Sequence, residues 1–268
     1  MRPIQIPSYI STIYDINPYA ENLTGNIQAR YAQLAQPAPL VSVIIPAYNE
    51  ETTILQTLYS LCHNRTQKSI EIIVVNNNST DRTFEMVTSS GIPCINEPKQ
   101  GITNARNAGL AVAKGTYILN ADADTIYPEY WIDRMIDPLI ENESIAGVYG
   151  CFSFIPTAST GRLTYFFYEY LADFSRWLNK RFREEAMNAY GFNSGFRREQ
   201  GLAVEGFNHP PGTNEDGWLM LKLSNHGFGK LHLVFDADVL VWTTDRRIQL
   251  DGGLWMGLWK RAKRMVGL

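Results

Sequence analysis

From residue 40 onward, hydrophobic and polar positions fall into two alternating rhythms. Residues 40–45 form a β-branched run closed by Pro46, the pattern of a strand buried on both faces. Over residues 50–62, Ile54, Leu55, Leu58, Tyr59, Leu61 and Cys62 recur at helical spacing. The alternation then predicts a strand over 70–75, a helix over 80–88, a strand over 92–95 and a helix over 102–113. A strand over 117–119, a helix over 130–140 and a strand over 145–149 complete the series. Strands that alternate with helices need crossover connections, so the pattern predicts an α/β fold with a mostly parallel sheet and helices on both faces.

The rhythm changes after Gly150. Residues 163–182 are dense in aromatics, among them Tyr165, Phe167, Tyr170, Phe174, Trp177 and Phe182, and are expected to pack inside the fold. A Gly/Pro-rich loop over 206–212 precedes an expected helix over 214–225 and strands over 231–235 and 239–242. Residues 1–38, rich in Pro, Tyr, Asn and Gln, read as an N-terminal extension. At the other end Leu254, Trp255, Leu258, Ala262, Met265 and Val266 share one face of a helix that also carries Lys260, Arg261, Lys263 and Arg264. Residues 251–268 are therefore expected to form an amphipathic helix, packed on its own domain or lying through 254–266 on an anionic membrane surface.

Composition excludes more than it assigns. With 45% hydrophobic and 19% charged residues the 268-residue chain is ordinary for a globular protein, and a net charge of -3 gives no footprint for nucleic acid. Cys62, Cys94 and Cys151 are odd in number and contain no C-x-x-C pair, which argues against a disulfide framework and a structural zinc site. Residues 1–7 lack the apolar run of a secretory signal, and no stretch approaches the roughly 18 apolar residues of a membrane span. A cytoplasmic setting, peripheral at the inner membrane face if the C-terminal helix touches lipid, is the expectation.

Ligands of open α/β sheets bind beyond the carboxyl ends of the strands. Three polar segments fall there: Pro46-Ala47-Tyr48-Asn49-Glu50-Glu51, Asn76-Asn77-Asn78-Ser79-Thr80-Asp81 and Asn120-Ala121-Asp122-Ala123-Asp124-Thr125. Carboxylates at i and i+2, leaving a buried strand, point to the same side and repel each other unless a cation is near. Their hard oxygens suit Mg2+ or Mn2+ bridging a diphosphate, although a solvated turn accounts for the same triplet. Ser79, Thr80 and Asp81 are all good helix N-caps, while Asn76 has the donor and acceptor needed to pair with a base edge. Thr213-Asn214-Glu215-Asp216 fits a capping box, and equally places a carboxylate where an attacking hydroxyl needs a base.

In order and spacing these segments resemble family-2 glycosyltransferases of the GT-A fold, which implies a Rossmann-like, mostly parallel central sheet. The resemblance covers roughly residues 40–250. It includes Val41-Ser42-Val43-Ile44-Ile45-Pro46-Ala47-Tyr48-Asn49-Glu50, Glu71 to Asp81, Gly101 and Asn104-Ala105-Arg106-Asn107-Ala108-Gly109. It continues through Asp122-Ala123-Asp124, Asn193-Ser194-Gly195-Phe196-Arg197-Arg198 and Glu215-Asp216. The resemblance implies transfer of a sugar from a nucleoside diphosphate sugar, a UDP-sugar in the first instance, to a saccharide or lipid-linked acceptor. Residues 39–150 would bind the donor and 151–250 the acceptor, with the aromatic stretch 163–182 in the core and acceptor wall.

Carried over residue by residue, Pro46, Ala47, Tyr48 and Glu50 would line the nucleoside pocket. Asn76 stands where the family usually has an Asp that reads uracil, which loosens the inference to that base. Arg106 would lie near the base or diphosphate. Asp122 would touch ribose or metal, Asp124 would hold Mn2+ or Mg2+, and Asp216 would be the base of an inverting displacement. The Q-x-x-R-W motif and transmembrane helices of processive members are absent, which implies a single-transfer enzyme of cell-envelope or exopolysaccharide assembly. Arg246 and Arg247 stand near that motif's place and are candidates for diphosphate contacts. Two other classes fit less well: a D-x-D phosphatase needs its triplet after the first strand, and a nucleotidyltransferase a Gly-rich basic loop there. The remaining alternative is a homologue that binds a nucleotide sugar without transferring it.

Overall fold

The computed structural model describes residues 2–158, 160–250 and 252–253, so the amphipathic pattern over 254–266 lies outside the described residues. Two helices come first, α1 (Ser8–Tyr14) and α2 (Leu23–Leu34). Then follow β1 (Val41–Ala47), α3 (Ile54–Cys62), β2 (Ile70–Asn76), α4 (Thr83–Ser89), β3 (Cys94–Asn96), α5 (Ile102–Val112) and β4 (Tyr117–Asn120). The chain continues through β5 (Thr125–Ile126), α6 (Trp131–Glu141), β6 (Ile145–Tyr149), β7 (Phe152–Ile155) and α7 (Arg162–Phe182). It closes with β8 (Ser194–Arg197), α8 (Arg198–Ala203), α9 (Glu215–Asn225), β9 (Lys230–Leu233), β10 (Val241–Thr244) and α10 (Arg246–Leu250).

Seven strands form the central sheet in the order β3-β2-β1-β4-β8-β6-β9. Among them β8 alone runs against its neighbours, pairing antiparallel with both β4 and β6. The expected α/β architecture with a mostly parallel sheet is therefore present. Side-chain alternation explains why β1 and β2 read as continuous apolar runs. Val41, Val43, Ile45, Ile70, Ile72 and Val74 enter a core shared with α2, α3, α4 and α6, whereas Ile44, Ile73 and Val75 face α5 and α9.

A second sheet of three strands, β5-β10-β7, stands beside the first. It brings Trp242 opposite Ile126 and Thr243 opposite Thr125, so the segment that follows the Asp122-Ala123-Asp124 triplet is paired with residues more than a hundred positions later. Ile10 of α1 is buried with Ile126, Ile155 and Trp242 on this sheet.

Residues 1–38, expected as an extension, supply Ile10, Leu23 and Ile27 to the core, and the Tyr31 hydroxyl accepts from the Ile72 main chain at 3.2 Å. The aromatic stretch departs from expectation. In α7, Tyr165 and Tyr168 are buried, but Leu163, Phe167, Tyr170, Leu171, Phe174, Trp177 and Phe182 are exposed. Aromatic density alone does not say which side of a helix meets the core.

Candidate active site

The carboxyl ends of β1, β2 and β4 lie side by side, with Ala47 opposite Asn76 and Ile44 opposite Asn120. The loops beyond them are tied together by side chains. Asn49 accepts from the Thr80 main chain at 2.8 Å and donates its own N–H to Ser79 Oγ at 3.0 Å. Glu50 N–H donates to Thr83 Oγ1 at 2.8 Å and Glu51 N–H to Asp81 at 3.1 Å. Ser79 and Thr80 thus serve the joint between two loops rather than capping α4, whose N-cap position is Arg82.

The main chain of the Asp122-Ala123-Asp124 turn is held by buried side chains, and both its carboxylates are half-buried. The fully buried Tyr127 hydroxyl accepts the Asp122 N–H at 2.9 Å and donates to the Phe192 carbonyl at 3.0 Å. Thr57 Oγ1 lies 3.0 Å from the Ala123 carbonyl and 2.9 Å from that of Thr125. Glu50 lies near Asp124 and Asp216 near Asp122, so the two carboxylates stand among other acids. Burial, then the charges of Asp122 and Glu50, push Asp124 up to about 6, against the pull of Arg246 and Arg247. Arg246 bridges Glu50 and Asp124, the latter at 3.5 Å, and Thr244 Oγ1 lies 3.3 Å from Asp124. A guanidinium standing between carboxylates marks a place that calls for positive charge. Among the described residues no three His, Cys, Asp or Glu side chains converge on one point. Two carboxylates suit a divalent ion that takes its other ligands from water and a diphosphate.

Arg106 of α5 joins this end of the site to the other. Its side chain is 1% exposed, yet Nη2 lies 3.0 Å from Asp122 and Nη1 3.0 Å from both Asp216 and the Gly191 carbonyl. Phe207 lies under the guanidinium, 5.6 Å away. The Gly191 N–H also donates to Asp216 Oδ2 at 2.7 Å. Asp216 does not cap α9. That role belongs to Asn214, whose side chain accepts the Gly217 N–H at 3.0 Å. Asp216 instead points away from its helix, and its Oδ1 touches Arg106 without accepting an aligned hydrogen bond. Burial raises its proton affinity, Arg106 opposes this, and Glu215 and Asp122 add to it, leaving Asp216 at about 7.

The remaining candidates divide. Tyr48 is exposed at the mouth of the β1 loop and Pro46 is half-buried, while the Ala47 methyl is buried in the core, so Ala47 offers only its main chain. Asn76 Nδ2 donates to Asn96 at 2.8 Å and Oδ1 accepts from Ser79 at 3.3 Å, leaving one N–H and one lone pair of the amide for a ligand. Arg247 is exposed and reaches Asp124 only through space. Sequence reasoning missed Gly191, whose main chain holds both Arg106 and Asp216, because a backbone contact leaves no signature in residue type. It also missed Tyr14, Asp15 and Asn17, which with Thr53, Gln56 and Asp124 line a cavity of about 380 Å3.

Residues 42–200 match the family model described as Glycosyl transferase family 2. The chain belongs to this family. Relatives of this glycosyltransferase family agree. The Bacillus subtilis (strain 168) protein named Probable glycosyltransferase YdaM is 29% identical over 242 residues, covering 84% of this chain and 54% of its own. An Escherichia coli protein, UDP-Glc:alpha-D-GlcNAc-diphosphoundecaprenol beta-1,3-glucosyltransferase WfaP, is 42% identical over 101 residues, 36% of this chain and 38% of its own. The chain thus spans about half, or less, of the length of these curated relatives. Among solved structures, glucosyl-3-phosphoglycerate synthase from Mycobacterium tuberculosis, in complex with Mn2+, UDP-glucose and phosphoglyceric acid, superposes with a TM-score of 0.53 at 22% identity. That superposition covers 79% of this chain and 73% of the synthase, and supports the GT-A fold.

Proposed function

We propose that this family-2 glycosyltransferase moves a sugar from a nucleoside diphosphate sugar, UDP-linked in the first instance, to an acceptor hydroxyl in one inverting displacement. The observation that carries this is the buried Arg106, which holds a D-x-D carboxylate on one side and a second buried carboxylate, Asp216, on the other. In this reading residues 39–150 receive the donor and 151–250 the acceptor. Tyr48 and Asn76 face the base, with Pro46, the Ala47 main chain and Glu50 completing the pocket. Asp122 and Asp124 would hold Mn2+ or Mg2+, which when bound neutralises charge developing on the departing diphosphate. The solved relative that contains Mn2+ with UDP-glucose supports the choice of metal and base.

Asp216 serves as the base. Its Oδ1 has no aligned hydrogen bond to give up, and a value near 7 suits proton removal at neutral pH. Arg106 keeps the carboxylate oriented and carries the charge balance between the two acids. Arg246, now between Glu50 and Asp124, and the exposed Arg247 beside it would supply positive charge to the diphosphate. The E. coli relative named for a diphosphoundecaprenol-linked acceptor supports a lipid-linked saccharide acceptor and a role in cell-envelope or exopolysaccharide assembly. Among the described residues no helix is long and apolar enough to cross a membrane.

A donor screen tests the reading: nucleotide release from UDP-, GDP- and dTDP-sugars with and without Mn2+. Metal-dependent release from one donor, lost in Asp124→Ala, is the expected result. Donor binding with no release, even with candidate acceptors present, would favour a nucleotide-sugar-binding homologue, and no donor binding at all would overturn both.

A further inference from the structure

The long helix α7 shows the solvent a face that its own fold does not use. Leu163, Phe167, Tyr170, Leu171, Phe174 and Trp177 recur at spacings of three and four, and all are 42–64% exposed. The opposite stripe, Tyr165, Tyr168, Glu169 and Arg176, is buried. At 1.5 Å per residue the strip from Leu163 to Trp177 is about 20 Å long. Contiguous exposure on that scale marks a contact surface.

We propose that this face docks the protein on an anionic lipid surface. Charge distribution selects the partner. The helix has two acids, and both are drawn inward: Glu169 pairs with Arg2 and Arg162, and Asp173 with Arg2 and Arg176. The exposed charges of residues 162–184 are Lys180, Arg181, Arg183 and Glu184, three cations and one acid gathered at one end. Glu185, beyond the helix, meets Lys180 at 2.7 Å and Glu184 stands next to Arg183, so this end keeps a net positive charge of one for an external anion. A symmetric partner copy would set this face against itself and supply no carboxylate from it. A layer of anionic headgroups supplies the missing charge, and Tyr170 and Trp177 have rings suited to the boundary between headgroup and acyl chain.

The face is also tied to the candidate base. Asn179 donates to Asn188 at 2.9 Å, and Asn188 donates to the Arg176 carbonyl at 3.0 Å. This locks the last turns of α7 to the segment that ends in Gly191, the residue holding Asp216. On the proposed transfer reading, lipid docked here would lie on the acceptor side of the site.

Vesicle flotation of the full chain tests the proposal, and no donor is needed, so the outcome is separate from that of the donor screen. Wild type should float with vesicles of phosphatidylcholine and phosphatidylglycerol, and weakly or not at all with phosphatidylcholine alone. Phe167→Ser/Phe174→Ser/Trp177→Ser changes exposed residues only, so its melting curve should stay near wild type while partitioning falls at least about tenfold. Arg181→Glu/Arg183→Glu should remove the preference for anionic vesicles. Wild type failing to float, or the triple variant floating as well as wild type because residues 254–266 do the binding, would overturn the assignment. So would a concentration-dependent dimer in sedimentation that the triple variant abolishes, since the face would then be an interface between copies.

Discussion

Asp216 and Asp124 are both acids held above the ordinary carboxylate range, for different reasons and with different consequences. Asp216 has to lose its proton to act as a base. With a value near 7, kcat/KM is expected to rise about tenfold per pH unit below neutrality and to level off above it. Asp216→Asn should lower turnover by roughly 10²–10⁴-fold and leave donor affinity, measured by calorimetry, unchanged. For Asp124 the consequence is in stability. Raised to about 6, it binds a proton more tightly folded than unfolded, so the metal-free protein loses stability as pH rises from about 4 to about 6. Asp124→Asn should therefore stabilise the metal-free protein at about pH 7.5 by ~1–3 kcal/mol, with no gain at about pH 4. Thermal melts at the two values check this. Mn2+ should raise the Tm of wild type and not of the variant. Spacing leaves both proposed roles open. Thr213-Asn214-Glu215-Asp216 fits a capping box, and only the side-chain directions show that Asn214 is the cap while Asp216 meets Arg106 and the Gly191 N–H.

Elements differ in how far their sequences announce them. The strands β1, β2 and β4 were legible because each is buried on both faces, and the helices after β1 and β2 because each follows within a few residues. The strands β5, β7 and β10 were harder to read: they have two to four residues each, and their partners are distant in the chain. β8 reads as part of a motif, Asn193 to Arg198, but its antiparallel insertion between β4 and β6 has no local signal. One motif does have a mechanical reason at this scale. Gly109, in the interior of α5, sits where a Cβ would overlap Ile44 of β1 and crowd Val75 of β2 at 3.2 Å. α5 lies this close to the sheet and so delivers Arg106 to Asp122 and Gly191. Gly109→Ala would gain helix propensity and lose the fit, with overpacking costing about 1–3 kcal/mol. The variant should melt lower, and its activity should fall further than its folded fraction, because any lift of α5 displaces Arg106.

At the scale of the whole molecule, residues read from sequence as an extension hold distant parts together. Arg2 is 5% exposed, and it meets Glu169 at 3.4 Å, Asp173 at 2.6 Å and the Phe152 carbonyl. Glu169 is fully buried, and it also takes Arg162 through both oxygens, at 2.8 and 2.9 Å, and the Phe154 N–H at 2.8 Å. One carboxylate therefore fastens the N-terminal segment, β7 and α7, and through β7 the small sheet whose β10 leads to Arg246. The composition could not reveal this, since Arg2 and Glu169 are 167 residues apart and each is commonplace alone. A buried ion network is weak evidence of net stability, but removing one partner leaves the others charged and desolvated. Glu169→Gln keeps the shape and removes the charge that balances Arg2 and Arg162. A loss of about 3–5 kcal/mol is expected, which for a chain of this size lowers the Tm by roughly 6–20 °C. Glu169→Leu, in combination with Arg2→Met and Arg162→Met, removes the charges that meet at Glu169, leaves Asp173 paired with Arg176, and should recover much of that loss. If the single variant melts like wild type, the clasp contributes nothing and α7 is held by apolar packing alone. If the triple variant recovers stability but activity stays low, the network's contribution is to position β10 and Arg246 rather than to hold the fold.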